Sequence, residues 1–146
     1  MDDVEKAVSL FMKGFRCSQA ILSTYGPRYG LEPELALKLA SPFGAGMGSL
    51  GNTCGAVTGA FMVLGLKYGN KKVSETRKKQ KAYEIVKEFV NKFKIRNGTI
   101  ICKELLNCDL STPEGRSLAV EKKLFIDVCP KFVQDSAEIL EELLQE

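Results

Sequence analysis

Apolar residues are spaced as α-helices require along the whole chain, and no segment shows the apolar–polar alternation of a half-buried strand. The clearest helix is 74–93, where basic residues cover the face opposite the apolar one. Its apolar face consists of Ala82, Ile85, Val86, Phe89, Val90 and Phe93. Further helices are predicted after an Asp2 or Asp3 cap and over 18–25, 32–39, 54–68, 101–106 and 130–145, while 111–117 is predicted to be a loop leading into one more helix. The sequence therefore predicts an all-α fold, a single-domain helical bundle of about six to seven helices.

Composition limits the class of protein. A chain of 146 residues is the usual size of one domain, so residues 1–146 are predicted to form a single domain, and its 45% apolar and 27% charged residues are ordinary for a globular protein. A net charge of +3 does not indicate nucleic-acid binding, and the basic run at 67–81 is interpreted as a solvated helix face. The amino terminus lacks a signal-peptide pattern, and the longest apolar run, 56–66, is about half the length of a membrane span. We expect a cytoplasmic protein without membrane insertion.

Five cysteines, at positions 17, 54, 102, 108 and 129, are the residues with the most chemical potential in a chain that has no histidine. In a reducing compartment they are not expected to form a permanent disulfide framework, which leaves packing, redox chemistry or metal binding. Cys17, Cys54, Cys102 and Cys129 fall at or near predicted helix N-termini, where free amides and the helix dipole stabilise a thiolate. Against this stands the common role of cysteine as a small buried apolar residue, which we assign to Cys108.

The surroundings of Cys54 suggest how a thiolate would be held. Asn52 and Thr53 are good N-cap residues, so Cys54 is expected in the first helical turn, oriented by these two residues and by the amides of Gly55 and Ala56. The preceding turn is rich in glycine, and at least one of its glycines 46, 48 and 51 is expected at positive φ. We also expect this turn to leave the Cys54 sulfur reachable. The turn fits a G-x-G-x-x-G pattern, but no strand precedes it, which argues against a dinucleotide site.

Metal binding by the same cysteines stays open at this point. The chain has no C-x-x-C pair, and the gaps along Cys17, Cys54, Cys102 and Cys129 match no common zinc or ferredoxin spacing. A metal ion or iron–sulfur cluster held by four thiolates from four separate helices is nevertheless compatible with the sequence.

Four stretches of the chain together resemble a known family. They are CSQAIL from Cys17, SPFGAGMGSLGNTCGAVTGAFMVLGLKYG around Cys54, CKELL from Cys102 and CPKFVQDSAEILEELL from Cys129. In order and spacing they resemble the redox-active family named for its C_GCAxxG_C_C pattern, over nearly the whole chain. The resemblance maps the family's four cysteines to Cys17, Cys54, Cys102 and Cys129 and leaves Cys108 outside. It implies a small prokaryotic protein, often encoded near transporters, with a redox role inferred from its cysteines and no established substrate.

Three hypotheses follow. The first is a thiol redox protein with thiol–disulfide oxidoreductase-like chemistry, in which Cys17 and Cys54 form the reactive pair and Cys102 and Cys129 are resolving or second-pair thiols. Its partner would be a redox protein or a small-molecule substrate, with a link to a transporter system implied by the resemblance. The second is a metal or iron–sulfur protein that uses the same four cysteines. The third is a helical interaction module whose cysteines only pack. The absence of histidine and of a convergent acidic pair argues against a hydrolase.

Overall fold

A computed structural model describes residues 1–145 as an all-α structure. Seven helices of at least eight residues and two shorter ones account for the fold within this range, which confirms the predicted class. They are α1 (Asp3–Met12), α2 (Cys17–Tyr25), α3 (Pro33–Ala40), α4 (Gly55–Tyr68), α5 (Thr76–Asn97), α6 (Cys102–Leu106), α7 (Pro113–Glu121), α8 (Leu124–Asp127) and α9 (Cys129–Leu144). Single 3₁₀ turns follow α2 and α3 at Gly26–Tyr29 and Ser41–Phe43.

Local capping chemistry explains where several helices begin. The Asp2 carboxylate accepts a hydrogen bond from the Glu5 amide at 2.8 Å, as expected for the N-cap of α1. The prediction of a loop over 111–117 is wrong, because α7 already begins at Pro113. Thr112 is its N-cap, with a hydroxyl that accepts from the Gly115 amide at 2.9 Å, and a proline is well tolerated in the first turn.

The centre of the bundle is α4, which packs against α2, α5 and α9. It is apolar around most of its circumference, as a helix surrounded by others must be. The α5 helix buries Ile85, Phe89 and Phe93 from its predicted apolar face. On the other side of the core, α9 packs against both α1 and α5. The core therefore lies between α2, α4, α5 and α9.

Two glycines allow α2 and α4 to pack closely. A Cβ atom on Gly59 would lie 3.0 Å from the Ser18 carbonyl oxygen and 3.1 Å from the Ser18 Cα. A Cβ atom on Gly55 would lie 3.0 Å from the Ser18 amide nitrogen and 3.2 Å from the Cys17 Cβ. All four distances are shorter than ordinary carbon contacts, so only glycine permits this helix spacing. The close approach brings the N-terminal ends of α2 and α4 together.

Membrane insertion was not expected from the sequence. Among the helices of residues 1–145, none combines the length and the apolar character that crossing a bilayer requires.

Candidate functional site

One cavity of about 30 Å³ is lined by Cys17, Cys54, Cys102 and Cys129. These four cysteines are far apart in the sequence, and the fold brings all of them to one place. The rest of the wall is mainly apolar and includes Phe11, Leu105, Leu106, Leu110, Phe125 and Phe132. Cys17 is half-buried, whereas the other three cysteines are buried. A space of this size accommodates about two water molecules, so it admits a reacting atom and its nearest neighbours rather than a large molecule.

Helix starts place all four thiols at the cavity. Cys17, Cys102 and Cys129 are the first residues of α2, α6 and α9. Cys54 is the N-cap residue that immediately precedes α4, with an extended backbone at φ −54° and ψ 137°. The prediction that these four cysteines lie at or near helix N-termini is therefore confirmed.

Backbone hydrogen bonds fix Cys54 beside Cys102. The Cys54 amide donates to the Ile100 carbonyl oxygen at 2.8 Å, and the Cys102 amide donates to the Asn52 carbonyl oxygen at 2.6 Å. Between these two bonds, Thr53 and Ile101 form an isolated antiparallel bridge. Main-chain pairing of this kind holds two cysteines together without involving their side chains, and so leaves both sulfurs free for chemistry.

The turn before Cys54 has a left-handed backbone. Gly46, Gly48 and Gly51 all have positive φ, of 73°, 62° and 71°, which confirms the expectation for this turn. The left-handed conformation also includes three residues with side chains: Ala45, Met47 and Ser49, with φ between 55° and 66°. Each of these costs roughly 1–2 kcal/mol relative to right-handed backbone. Strain of this kind persists where surrounding structure holds it, and here the strained segment contributes Ala45 and Gly46 to the cavity wall.

Cys54 is the thiol best suited to ionise. A hydrogen bond with the Cys17 thiol lowers the pKa of Cys54 below its ordinary value. The amides of Ala56 and Val57, in the first turn of α4, also donate to the Cys54 sulfur and lower its pKa further. Burial acts in the opposite direction, and the hydrogen bonds outweigh it.

The other three thiols are held in the protonated form. The hydrogen bond with Cys54 raises the pKa of Cys17 well above its ordinary value, and burial adds to the increase. Burial raises the pKa of Cys102 to about 12 and the pKa of Cys129 to about 12, and in both cases the negative charge of Cys54 adds to the increase. Cys54 is therefore the first of the four thiols to ionise as the pH rises.

Two details of the predicted support for Cys54 are wrong. Asn52 and Thr53 do not cap α4, because Cys54 is itself the N-cap residue. Asn52 instead contributes its carbonyl oxygen to Cys102, and Thr53 pairs with Ile101. The Ala56 amide lowers the pKa of Cys54 as predicted, but the second amide is that of Val57 and not of Gly55, since an N-cap side chain reaches the second and third helical amides.

The accessibility of Cys54 also differs from expectation. The glycine turn was expected to leave its sulfur reachable, but Cys54 is only 5% exposed. Its route to solvent is the cavity, which the half-buried Cys17 and the exposed Arg16 also line. Arg16 and Val57 were not predicted as site residues. The position of Arg16 next to Cys17 was visible in the sequence, but the contribution of Val57 depends on which residue caps α4.

Cys108 lies outside the cavity. Its thiol donates to the Gly115 carbonyl oxygen at 2.9 Å in a buried position, which is the structural role expected for it. All five cysteines are free thiols. Among residues 1–145, no group of three or more cysteine, aspartate or glutamate side chains has an arrangement that could hold a metal ion.

Comparison with known proteins agrees with the cysteine pattern. A family model described as "Putative redox-active protein (C_GCAxxG_C_C)" matches residues 15–143. In this chain the central motif is CGAVTG, from Cys54 to Gly59, so cysteine precedes glycine where the name of the family has the reverse order. No curated protein and no solved structure matches the chain.

Proposed function

The chain belongs to the C_GCAxxG_C_C family of redox-active proteins, and from the geometry of its cysteines we propose that it is a thiol–disulfide redox protein in which Cys54 is the nucleophile and Cys17 its resolving partner. The observation that carries this proposal is that Cys17 and Cys54 line one cavity at the joined N-termini of α2 and α4. One member of the pair has a lowered pKa and the other a raised pKa. A thiolate beside a neutral thiol is the arrangement that disulfide exchange requires.

The proposed reaction reduces a disulfide and oxidises the protein by two electrons. The Cys54 thiolate attacks one sulfur of a substrate R–S–S–R, the S–S bond breaks, and the leaving R–S⁻ takes a proton from water. Cys17 then loses its proton to water and attacks the Cys54 sulfur in the mixed disulfide. The second R–S⁻ leaves and is protonated. The products are a Cys17–Cys54 disulfide and two molecules of R–SH, and an external dithiol would restore the reduced protein.

Cys102 and Cys129 form the second pair in this proposal. Both line the same cavity, and both have pKa values raised to about 12, so they are neutral thiols while Cys54 is ionised. To accept the disulfide from Cys17–Cys54, one of them loses its proton to water and attacks a sulfur of that disulfide, and the other then loses its proton and displaces the bound sulfur. Cys17 and Cys54 are released and protonated, a Cys102–Cys129 disulfide forms, and the raised pKa values make this the slower, later step. A reducing compartment such as the cytoplasm, which the sequence predicts, would return such a protein to its dithiol form.

Thiol counting with disulfide mapping tests the proposal. The protein is purified anaerobically, its metal content is measured, and free thiols are counted before and after mild oxidation by a small disulfide. We expect loss of two or four thiols, restored by a dithiol reductant, with Cys17 linked to Cys54 in the two-thiol product. The Cys108→Ser variant is the control and should lose the same number. One bound metal per chain would support the metal hypothesis instead. If the number of free thiols does not change and no metal is bound, the cysteines have only a packing role.

A further inference from the structure

An outer cleft of about 260 Å³ adjoins the cysteine cavity. The two spaces share three wall residues: Phe11, Arg16 and Phe125. The cleft is bounded further by Met12, Phe15 and Ile126, from the end of α1, the loop after it, and α8. Met12 and Ile126 are exposed, so the cleft opens to solvent. A small molecule in the cleft would therefore have its inner end beside the thiols.

Arg16 is the charged residue of this cleft. Of the described residues that line either space, it is the one with a positively charged side chain. Within residues 1–145, the Arg16 guanidinium has no hydrogen-bond or ion-pair partner. By contrast, Arg28 and Arg96 each bind two carboxylates. A guanidinium with its donors free, at the edge of an apolar wall, is suited to bind a carboxylate or another oxyanion.

The side chain of Arg16 is also held in place. A Cβ atom on Gly44 would lie 2.5 Å from the Arg16 Cγ, 2.8 Å from its Cβ and 2.9 Å from its Cδ. The aliphatic part of Arg16 therefore packs directly on the Gly44 backbone. The backbone of Arg16 is fixed as well, since its amide donates to the Gln19 side chain at 2.9 Å. These contacts keep the arginine at the rim between the two spaces.

From these observations we propose that the outer cleft is a substrate site for a small organic disulfide with an apolar body and a carboxylate. The carboxylate binds Arg16, the apolar body lies against the phenylalanines, and the disulfide enters the inner cavity. This inference rests on the proposed function, because it names the substrate class for the same thiols. The small inner cavity favours such a substrate over a folded protein, since only the reacting sulfurs must fit there.

A charge series of disulfides tests the substrate class. The fully reduced protein is mixed with dithiodipropionate, hydroxyethyl disulfide or cystamine, which are anionic, neutral and cationic, and the rate of thiol loss is measured. We expect the anionic compound to react at least tenfold faster than the neutral one, a difference of about 1.4 kcal/mol, and the cationic compound to react slowest. In Arg16→Gln the preference for the anion should disappear. Arg77→Gln removes the same charge from an exposed residue of α5 that lines neither space, and this variant should keep the preference.

A binding measurement separates this inference from the redox proposal. Binding of octanoate, an apolar carboxylate without sulfur, is measured by calorimetry with the same three proteins. We expect binding to the wild type and to Arg77→Gln, and at least tenfold weaker binding to Arg16→Gln. If octanoate binds in this pattern but no disulfide oxidises the protein, the cleft is an anion site and the redox proposal is wrong. If the disulfides react at equal rates and octanoate binds equally to the wild type and to Arg16→Gln, the substrate inference is wrong and the redox proposal stands.

Discussion

Alanine at Gly46 should damage the turn before Cys54 far more than alanine at Gly48. Both glycines have positive φ, of 73° and 62°, so both substitutions place a side chain on left-handed backbone. They differ in the space around the new atom. A Cβ on Gly46 would lie 2.5 Å from the Asn52 amide nitrogen and 2.7 Å from two backbone atoms of Gly51, whereas a Cβ on Gly48 would have its nearest neighbour, the Pro42 carbonyl oxygen, 3.8 Å away.

These contacts set the expected magnitudes. The left-handed conformation costs an alanine roughly 1–2 kcal/mol, and this cost applies to both variants. The gain from restricting the unfolded chain, about 0.4–1 kcal/mol, also applies to both and cancels in the comparison. Gly46→Ala has the further cost of displacing backbone that has no freedom to rotate away, which we place at about 1–3 kcal/mol by analogy with overpacked cores. Gly48→Ala should therefore lower the free energy of unfolding by at most about 1.5 kcal/mol, and Gly46→Ala by about 1–3 kcal/mol more.

Urea unfolding followed by circular dichroism measures this difference. The three proteins are compared under reducing conditions, and equal slopes with denaturant show that a change in midpoint is a change in stability. The alanine at position 46 would displace Asn52, whose carbonyl oxygen accepts a hydrogen bond from the Cys102 amide. Gly46→Ala should therefore also alter the reactivity of the cysteines, while Gly48→Ala should not. Equal loss of stability in the two variants would refute the reasoning, because it would show that backbone conformation alone, and not close approach, requires these glycines.

Two more predictions concern packing and ionisation. Gly59→Ala should lower the free energy of unfolding by about 1–3 kcal/mol, because the new Cβ pushes α4 away from Ser18. Gly65→Ala lies on the same helix with no atom within 4 Å of the new Cβ, so it should raise the free energy of unfolding by about 0.5–1 kcal/mol in the same urea assay. At alkaline pH the buried thiols of Cys102 and Cys129 should destabilise the fold. Their folded pKa values are about 12, so between pH ~8.5 and about 12 the unfolded state loses these protons first, and stability should fall by about 1.4 kcal/mol per pH unit for each thiol. Cys102→Ser should show a smaller fall than the wild type over this range, and an identical fall would contradict the prediction.

The all-α class and most helix positions could be predicted from the sequence because helical periodicity and capping are local. The longest helix was recognised from its apolar face, and three of its residues are indeed buried: Ile85, Phe89 and Phe93. The helix-start positions of the cysteines were predictable for the same reason. The sequence does not predict the start of α7, because Pro113 and Gly115 are typical of loops, although Thr112 caps a helix there.

The parts of the site that depend on tertiary contacts could not be predicted. Nothing in the sequence indicates that Ala45, Met47 and Ser49 adopt left-handed backbone, since residues with side chains avoid it unless surrounding structure holds them. The largest contribution to the lowered pKa of Cys54 comes from Cys17, which lies in another helix. The sequence predicts a lowered pKa of Cys54 from the helix N-terminus alone, and each of the two amides there contributes less than Cys17. Local sequence determines the position of each thiol on its helix, whereas tertiary packing determines which thiols come together.

The most direct test of the account is the ionisation of Cys54 in the reduced, metal-free protein. Thiolate formation is followed by ultraviolet absorbance against pH in the wild type and in Cys54→Ser, Cys17→Ala and Cys108→Ser, a measurement that does not require a reagent to reach the buried sulfur. The account predicts one ionisation below the ordinary cysteine value of ~8.5 in the wild type and in Cys108→Ser. It should be absent in Cys54→Ser and shifted upward in Cys17→Ala, which loses the main hydrogen bond to the thiolate. An early ionisation that persists in Cys54→Ser, or none at all in the wild type, would contradict the claim that Cys54 is the nucleophile.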